Sequence, residues 1–287
     1  MTAIFKKETK AYLTSMTGYV FIAFILLMTG IYFTAYNLQV GYPIFGYTLS
    51  SITFVFLIVI PVLTMRILAE ERRQKTDQLL LTSPLGVKDI VIGKYLGLVV
   101  IFLIPMAILC LYPLIMSLYG QVSLPMSYTA ILGFFLFGCA NIAIGVFLSS
   151  ITESQIIAAV LTFVVMFICQ TMEGIKGLFS ETAATSLLAF TVLLLAACIA
   201  VYMIMKNAFL ACSIGIVGEV VLLILYNVKQ SLFEGGIQKV LDIFNIQSYF
   251  SNFVNGILDL TGVIYYLSVT AVFLFLTVQS IQKRRWS

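Results

Sequence analysis

Histidine is absent from the 287 residues. That removes imidazole acid–base chemistry, His metal ligation and His ligation of haem together. Charge is scarce as well. Asp, Glu, Lys and Arg make up 10% of the chain, where an ordinary soluble domain carries about 25%. Four aspartates occur, Asp77, Asp89, Asp242 and Asp259, all outside the long apolar runs. A membrane aspartyl protease would need two of them inside. The five cysteines, Cys110, Cys139, Cys169, Cys198 and Cys212, show no CxxC spacing and sit within apolar sequence. They read as small packing residues rather than disulfides or metal ligands. Gly93-Lys94 resembles part of a phosphate loop, but the spacing from Gly86 is wrong and Tyr95 stands where Ser or Thr is needed. The chain therefore has no nucleotide site of its own. Catalytic site residues, metals and cofactors are all expected to be none.

What is present is apolar. Hydrophobic residues make up 61% of the chain, an excess that a larger soluble core cannot explain. The class expected is all-α, a polytopic bundle of membrane helices. Eight runs are long enough to cross about 30 Å of hydrocarbon at about 1.5 Å per residue. They cover roughly 16–36, 50–68, 95–119, 128–149, 155–173, 186–205, 208–226 and 263–281. The first starts too late and runs too long for a signal-peptide core and lacks an Ala-x-Ala site, so it is expected to remain as a span. Pro105 and Pro113 predict kinks in the third. The sixth and seventh, separated by Lys206 and Asn207, read as a tight hairpin.

Lysine and arginine orient these spans. With a cytoplasmic N-terminus, thirteen fall inside and three, Lys176, Lys229 and Lys239, fall outside. An even number of spans then puts both termini in the cytoplasm. The net charge of +4 is accounted for by topology and calls for no nucleic-acid partner.

The charge is not spread evenly. In AEERRQKTDQLLLTSPLG, residues 69–86, six of the eight residues from Glu70 to Asp77 are charged. These cannot enter the bilayer, where each charge costs at least about 2.5–3.5 kcal/mol. Their propensities still favour helix, and Glu71 and Lys75 stand at i, i+4. The second span is expected to continue into this polar helix. Leu79, Leu80 and Leu81 then form an apolar tip. Ser83 as N-cap with Pro84 at the first helical position predicts the start of the next helix, with an amphipathic lead-in over 87–95. A plain solvated loop is the alternative, but it gives three leucines nothing to pack on.

Four further stretches stand out. SSITESQIIAAVLTF, from Ser149, forms a second short cytoplasmic connection. Thr152 or Ser154 there can cap the fifth span, and Glu153 and Gln155 lie in or beside its first turn. Gly138, Asn141 and Gly145 share a helix face suited to close packing. Glu219 is the one carboxylate expected near mid-membrane, so Asn141 and Glu219 form the candidate intramembrane polar site. Residues 235–262 are amphipathic and too polar to span, and an interfacial or re-entrant helix pair on the outer face is expected there.

The run MRILAEERRQKTDQLLLTSPLGVKDIVIGKYLG, from Met65, resembles the cytoplasmic coupling segment of type-2 ABC transporter permeases, closest to their gliding-motility-type subfamily. Met65, Arg66, Leu68, Ala69, Glu70, Glu71, Arg72, Thr76, Leu79 to Thr82, Pro84, Gly93 and Lys94 fit the pattern. Lys75 replaces its usual Gly and Gln78 its usual Glu. The stretch from Phe147 and the chain's ending from Ser248 are also similar; roughly 175–235 is not. The resemblance implies one permease domain over 1–287, with six core spans and an additional hairpin over 186–226. It implies a bacterial cytoplasmic (inner) membrane, a second permease copy or paralogue, and separate cytoplasmic ABC ATPase subunits that bind ATP and Mg. It leaves room for an accessory extracytoplasmic subunit. The coupling residues would be Glu70, Glu71, Arg72, Arg73, Thr76, Leu79, Leu80, Leu81 and Pro84. Thr152, Glu153, Ser154 and Gln155 would form the second contact. The function implied is an ATP-driven permease, export being the direction expected. The alternative is an ion- or proton-coupled secondary transporter using Glu219, which should show internal repeats and further intramembrane carboxylates.

Overall fold

The computed structural model describes residues 1–76, 86–205, 208–230 and 233–285. The chain divides into two compact units, residues 1–170 with 246–287, and residues 171–245. All regular structure among the described residues is helical.

In the larger unit, helix α1 (Thr2–Leu13) lies before the first span. Its buried residues Ile4, Glu8 and Tyr12 recur every fourth position, which draws one stripe along the helix. The first span is α2 (Met16–Phe33), N-capped by Ser15, whose Oγ accepts from the Gly18 amide at 3.3 Å. It ends in a π-helical turn, Thr34–Gln39.

The second span is broken. It runs as α3 (Phe45–Ile52), a 3₁₀ turn (Thr53–Val55) and α4 (Phe56–Thr64). The Thr53 carbonyl, which accepts from the Phe56 amide in this turn, accepts also from Gln170 Nε2 at 2.9 Å. Past Thr64 the chain turns over residues 65–68 before α5 (Ala69–Arg73). Counted as one helix over Phe45–Arg73, the second span runs on into the polar segment, as the sequence suggested, with a four-residue turn at 65–68 on the way.

The third span is α6 (Val87–Leu109) and α7 (Leu111–Tyr119), interrupted at Cys110. Pro113 lacks the N–H that would bond the Leu109 carbonyl, which explains the break between the two prolines. Helix α6 starts from Gly86 in extended backbone. Ser83 and Pro84, expected to start it, lie outside the described residues.

Helix α8 (Leu124–Ile151) is the centre of this unit. The fifth span, α9 (Gln155–Gly177), follows it, and the short α13 (Ser248–Val254) and long α14 (Leu260–Arg285) close the unit. In lipid, helices associate through close packing rather than through a hydrophobic drive, and α8 shows the means. A Cβ at Gly138 would overlap the Phe102 ring, and one at Gly145 the Thr64 side chain. Around these contacts sits a cluster of phenylalanines. Phe56 stacks on Phe137 with centroids 5.7 Å apart, meets Phe102 edge-on at 5.7 Å, and lies 4.7 Å from Phe134. Phe250 and Phe253 of α13 are fully buried here. The second helix of the amphipathic segment is therefore part of the core. Asn252 and the Thr261 amide both bond Asp259 at the start of α14, and those bonds hold its carboxyl below the usual carboxylate range.

The smaller unit contains α10 (Ala183–Met205), α11 (Ala208–Val228) and α12 (Gly236–Phe244). Gly218 lets α11 approach Leu194 of α10. Lys176 pairs with Asp242 at 2.7 Å. Among the described residues six helices are long and apolar enough to cross a membrane: 16–39, 45–73, 87–119, 124–151, 155–177 and 260–283. The runs expected as sixth and seventh spans form helices α10 and α11. Their described apolar stretches, Ala183–Ala196 and Gly215–Val228, are shorter than a span. The fold is a polytopic membrane helical bundle.

Candidate functional site

Several segments distant in sequence meet at one end of the larger unit: α1, the turn at 65–68 with α5, the start of α6, the 151–155 connection and the last turns of α14. The Tyr12 hydroxyl donates to the Leu63 carbonyl at 3.1 Å. Burial, and next the nearby Glu8 carboxylate, push that phenol well above its ordinary range. Ser280 reaches the Ser150 carbonyl at 3.5 Å.

The centre of this end is Lys94, 1% exposed along its side chain. Its Nζ donates to Glu8 Oε1 at 2.8 Å, to Glu71 Oε1 at 2.7 Å and to the Ile67 carbonyl at 3.1 Å. All three ammonium protons are used. A lysine buried in this way is tolerated only because carboxylates and a carbonyl replace its water. Two glycines of α6 let α1 approach closely enough. A Cβ at Gly93 would press on Ile4 at 3.2 Å, and one at Gly97 on Glu8 Cβ at 3.0 Å. The Gly93-Lys94 pair, which lacks the phosphate-loop spacing, is thus a docking point for α1.

The other charges of the segment are also ordered. Glu70 takes Arg66 at 3.0 Å through Nε and 3.4 Å through Nη2, and Arg66 further bonds Thr17 at 3.1 Å. Arg72 donates to the Ile151 carbonyl at 2.6 Å and pairs with Glu153 at 3.3 Å. The Ser149 hydroxyl accepts from the Leu68 and Ala69 amides, at 3.3 and 3.2 Å, and donates to the Met65 carbonyl at 3.2 Å. These amides open a short helix and have no partner within it. A hydroxyl at the end of α8 supplies the cap.

The residues singled out from sequence fall into place unevenly. Glu70 and Glu71 are both engaged within the protein, Glu71 facing inward. Arg73 and Gln74 are exposed. Thr76 Oγ1 bonds the Glu71 carbonyl at 3.3 Å. Leu79, Leu80, Leu81 and Pro84 lie outside the described residues. Thr152 donates to the Ser154 carbonyl at 3.2 Å, and Glu153 precedes the first turn of α9 and turns toward Arg72 instead. Gln155 is the first residue of α9 and half-buried. Asn141 is buried in α8 and spends its amide on the Phe137 carbonyl of its own helix at 2.8 Å. Glu219 is half-buried on α11. Sequence reasoning placed Lys94 in the family pattern without a role and did not single out α1, Glu8 or Ser149. The fourfold spacing of Ile4, Glu8 and Tyr12 was the one local signal available.

Lys75 has φ +58°, in the left-handed region. A residue with a Cβ pays about 1–2 kcal/mol there, and glycine does not. This explains physically why the pattern that the segment resembles carries glycine at the corresponding position. Lys75→Gly should raise stability by up to about 1 kcal/mol, read as a higher thermal unfolding midpoint in detergent. An unchanged or lower midpoint would contradict the strain.

A cavity of about 460 Å³ opens beside Lys94, with Lys7, Glu8, Tyr12, Arg66, Glu71 and Gln74 among its walls. Its acidic and basic groups largely neutralise one another. The described residues bring no group of three or more Cys, Asp or Glu side chains together to hold a metal ion.

Residues 3–215 match the family described as ABC-2 family transporter protein. The match runs past 175, into the stretch where no resemblance was read, and ends inside α11, short of the ending from Ser248. No curated protein matches the chain.

Proposed function

The chain belongs to the ABC-2 family of transporter proteins, and from that membership we propose that it drives export by passing the motion of a separate cytoplasmic ATPase through residues 69–86 into its spans. Being a permease component of an ABC transporter follows from the family. The direction, the contact segment and the membrane are our reading. The observation that carries it is the joining of the charged segment to the second connection through Arg72, Ile151 and Glu153. One exposed surface, with Arg73 and Gln74 on it, is thereby tied to the second, fourth and fifth spans. ATP and Mg would be held by the partner, which fits a chain without a phosphate loop.

The basic residues favour the same orientation. Lys6, Lys7, Lys10, Arg66, Arg72, Arg73, Lys88 and Lys94 belong to the segments that meet at this end. Placed in the cytoplasm of a bacterial inner membrane, with both termini inside, they satisfy the positive-inside rule. The 186–226 hairpin would be an addition to six core spans, and pairing with a second copy or a paralogue would complete the complex.

The test is co-purification from the native host. An ATPase subunit should accompany the chain, and Leu80→Asp should reduce its yield at least about tenfold, as expected when a central apolar anchor of an interface gains a charge. Wild-type yield and ATPase activity in that variant would defeat the coupling assignment. Glu71→Arg is not a clean probe of docking, because Glu71 neutralises Lys94. Glu219→Gln should leave ATP-driven transport unchanged in proteoliposomes; its loss would revive an ion-coupled role for that carboxylate.

A further inference from the structure

We propose that Lys94 is a positioning residue that locks the N-terminal helix α1 to the coupling segment, so that α1, α5 and the start of the third span move as one body during the transport cycle. The inference rests on the coupling role proposed for residues 69–86.

Three observations point to it. First, Lys94 is the meeting place of three separate elements: Glu8 from α1, Glu71 and the Ile67 carbonyl from the coupling segment, and α6 itself. Second, the contact is buried and saturated. Moving any one element away would leave the Lys94 ammonium, 1% exposed along its side chain, short of a counter-charge. A surface ion pair exchanges partners with water readily, whereas here the ammonium is buried and only the carboxylates border the open cavity. Third, α1 is pressed against α6 at the two glycines, Gly93 and Gly97, so that packing and charge hold the same pair of helices together. An amphipathic helix attached only by its apolar stripe could ride separately on the membrane surface. Here Tyr12, bonded to the Leu63 carbonyl, adds a tie from α1 to the second span.

The consequence is mechanical. A push on the exposed side of α5 reaches α6 through Glu71 and Lys94, and takes α1 with it. The N-terminal helix thus becomes part of the moving element, not a passive anchor. It also extends the surface that travels with the ATPase by one helix, α1, whose exposed face carries Lys6, Lys7 and Lys10.

The experiment uses the intact complex with its co-purified ATPase in lipid nanodiscs. Spin labels placed at Lys6 and Gln74 report the separation of α1 from the coupling segment. A second pair at Leu38 and Tyr119 reports the outer ends of the first and third spans. With ATP and vanadate, the first separation should stay within the about 1–2 Å that small helix shifts amount to, while the second changes. In the triple variant Lys94→Met, Glu8→Gln, Glu71→Gln, which keeps the packing but removes every charge of the lock, the first separation should become nucleotide-dependent. The change at the outer ends should fall at least about twofold there. A wild-type Lys6–Gln74 separation that changes with nucleotide overturns the lock, as does a triple variant whose two separations behave as in the wild type. If no ATPase accompanies the wild-type chain, the coupling reading itself fails, which is a different result.

Discussion

Lys94→Met should cost the folded chain about 3–5 kcal/mol, the penalty for removing one partner of a buried ion pair and leaving the other uncompensated. Here two carboxylates, Glu8 and Glu71, would be left facing each other with the ammonium gone. The penalty comes from their desolvation and mutual repulsion, and lost packing is minor because methionine fills much of the lysine stem's volume. Adding Glu8→Gln and Glu71→Gln should recover most of it, since replacing a buried ionic group as a whole by neutral groups is often close to neutral. The measurement is the thermal unfolding midpoint of each variant in the same mild detergent. Lys94→Met unfolding at the wild-type temperature would mean the triad carries no net energy. A triple variant as unstable as the single one would mean that the loss came from packing rather than charge.

The second large effect belongs to the phenylalanine cluster. Gly138→Ala puts a methyl group into the space of the Phe102 ring. That ring has little room to retreat: Phe21 meets it edge-on at 6.3 Å, Phe56 edge-on at 5.7 Å, and Phe135 stacks on it at 5.8 Å. Overpacking of this kind costs about 1–3 kcal/mol. Alanine's better helix propensity returns at most about 1 kcal/mol, so the net sign is destabilising. Phe102→Leu removes the outer ring atoms that the new methyl would strike. The double variant should therefore be more stable than the two single losses added together predict, by about 0.5–3 kcal/mol. Simple additivity in a thermal or denaturant series would show that the ring moves aside freely.

The membrane class and four of the six described spans were legible from hydropathy at close to their observed limits, because lipid leaves a spanning chain few alternatives to a long apolar helix. The third takes in its expected lead-in and begins at Val87, and the second departs furthest in its course. It begins at Phe45, earlier than its apolar core suggested, and the 3₁₀ turn at Thr53 and the turn at 65–68 were not foreseen. Both interruptions depend on partners far along the chain. Gln170 donates to the Thr53 carbonyl, and Ser149 supplies the bonds for the turn that leads into α5. Of the candidate site, the charge cluster stood out at once, but not what each charge does. Glu71 and Arg72 are neighbours in sequence. One faces Lys94 inside, and the other crosses to Glu153 and Ile151.

The sequence by itself determined that this chain is a helical membrane protein, where its charge must stay out of lipid, and which family it resembles. Each follows from local composition: the price of a charge in hydrocarbon, the length needed to cross it, and a contiguous motif. Only the tertiary structure decided that Glu8, Glu71 and Lys94 form one buried site, 86 and 23 residues apart along the chain, and that Ser149 caps a helix 80 residues before it. Glu8 and Glu71 are ordinary surface residues in any window around them. They become a site because close packing at Gly93 and Gly97 brings α1 onto α6, and a buried ammonium must then find its counter-charges wherever the fold has put them.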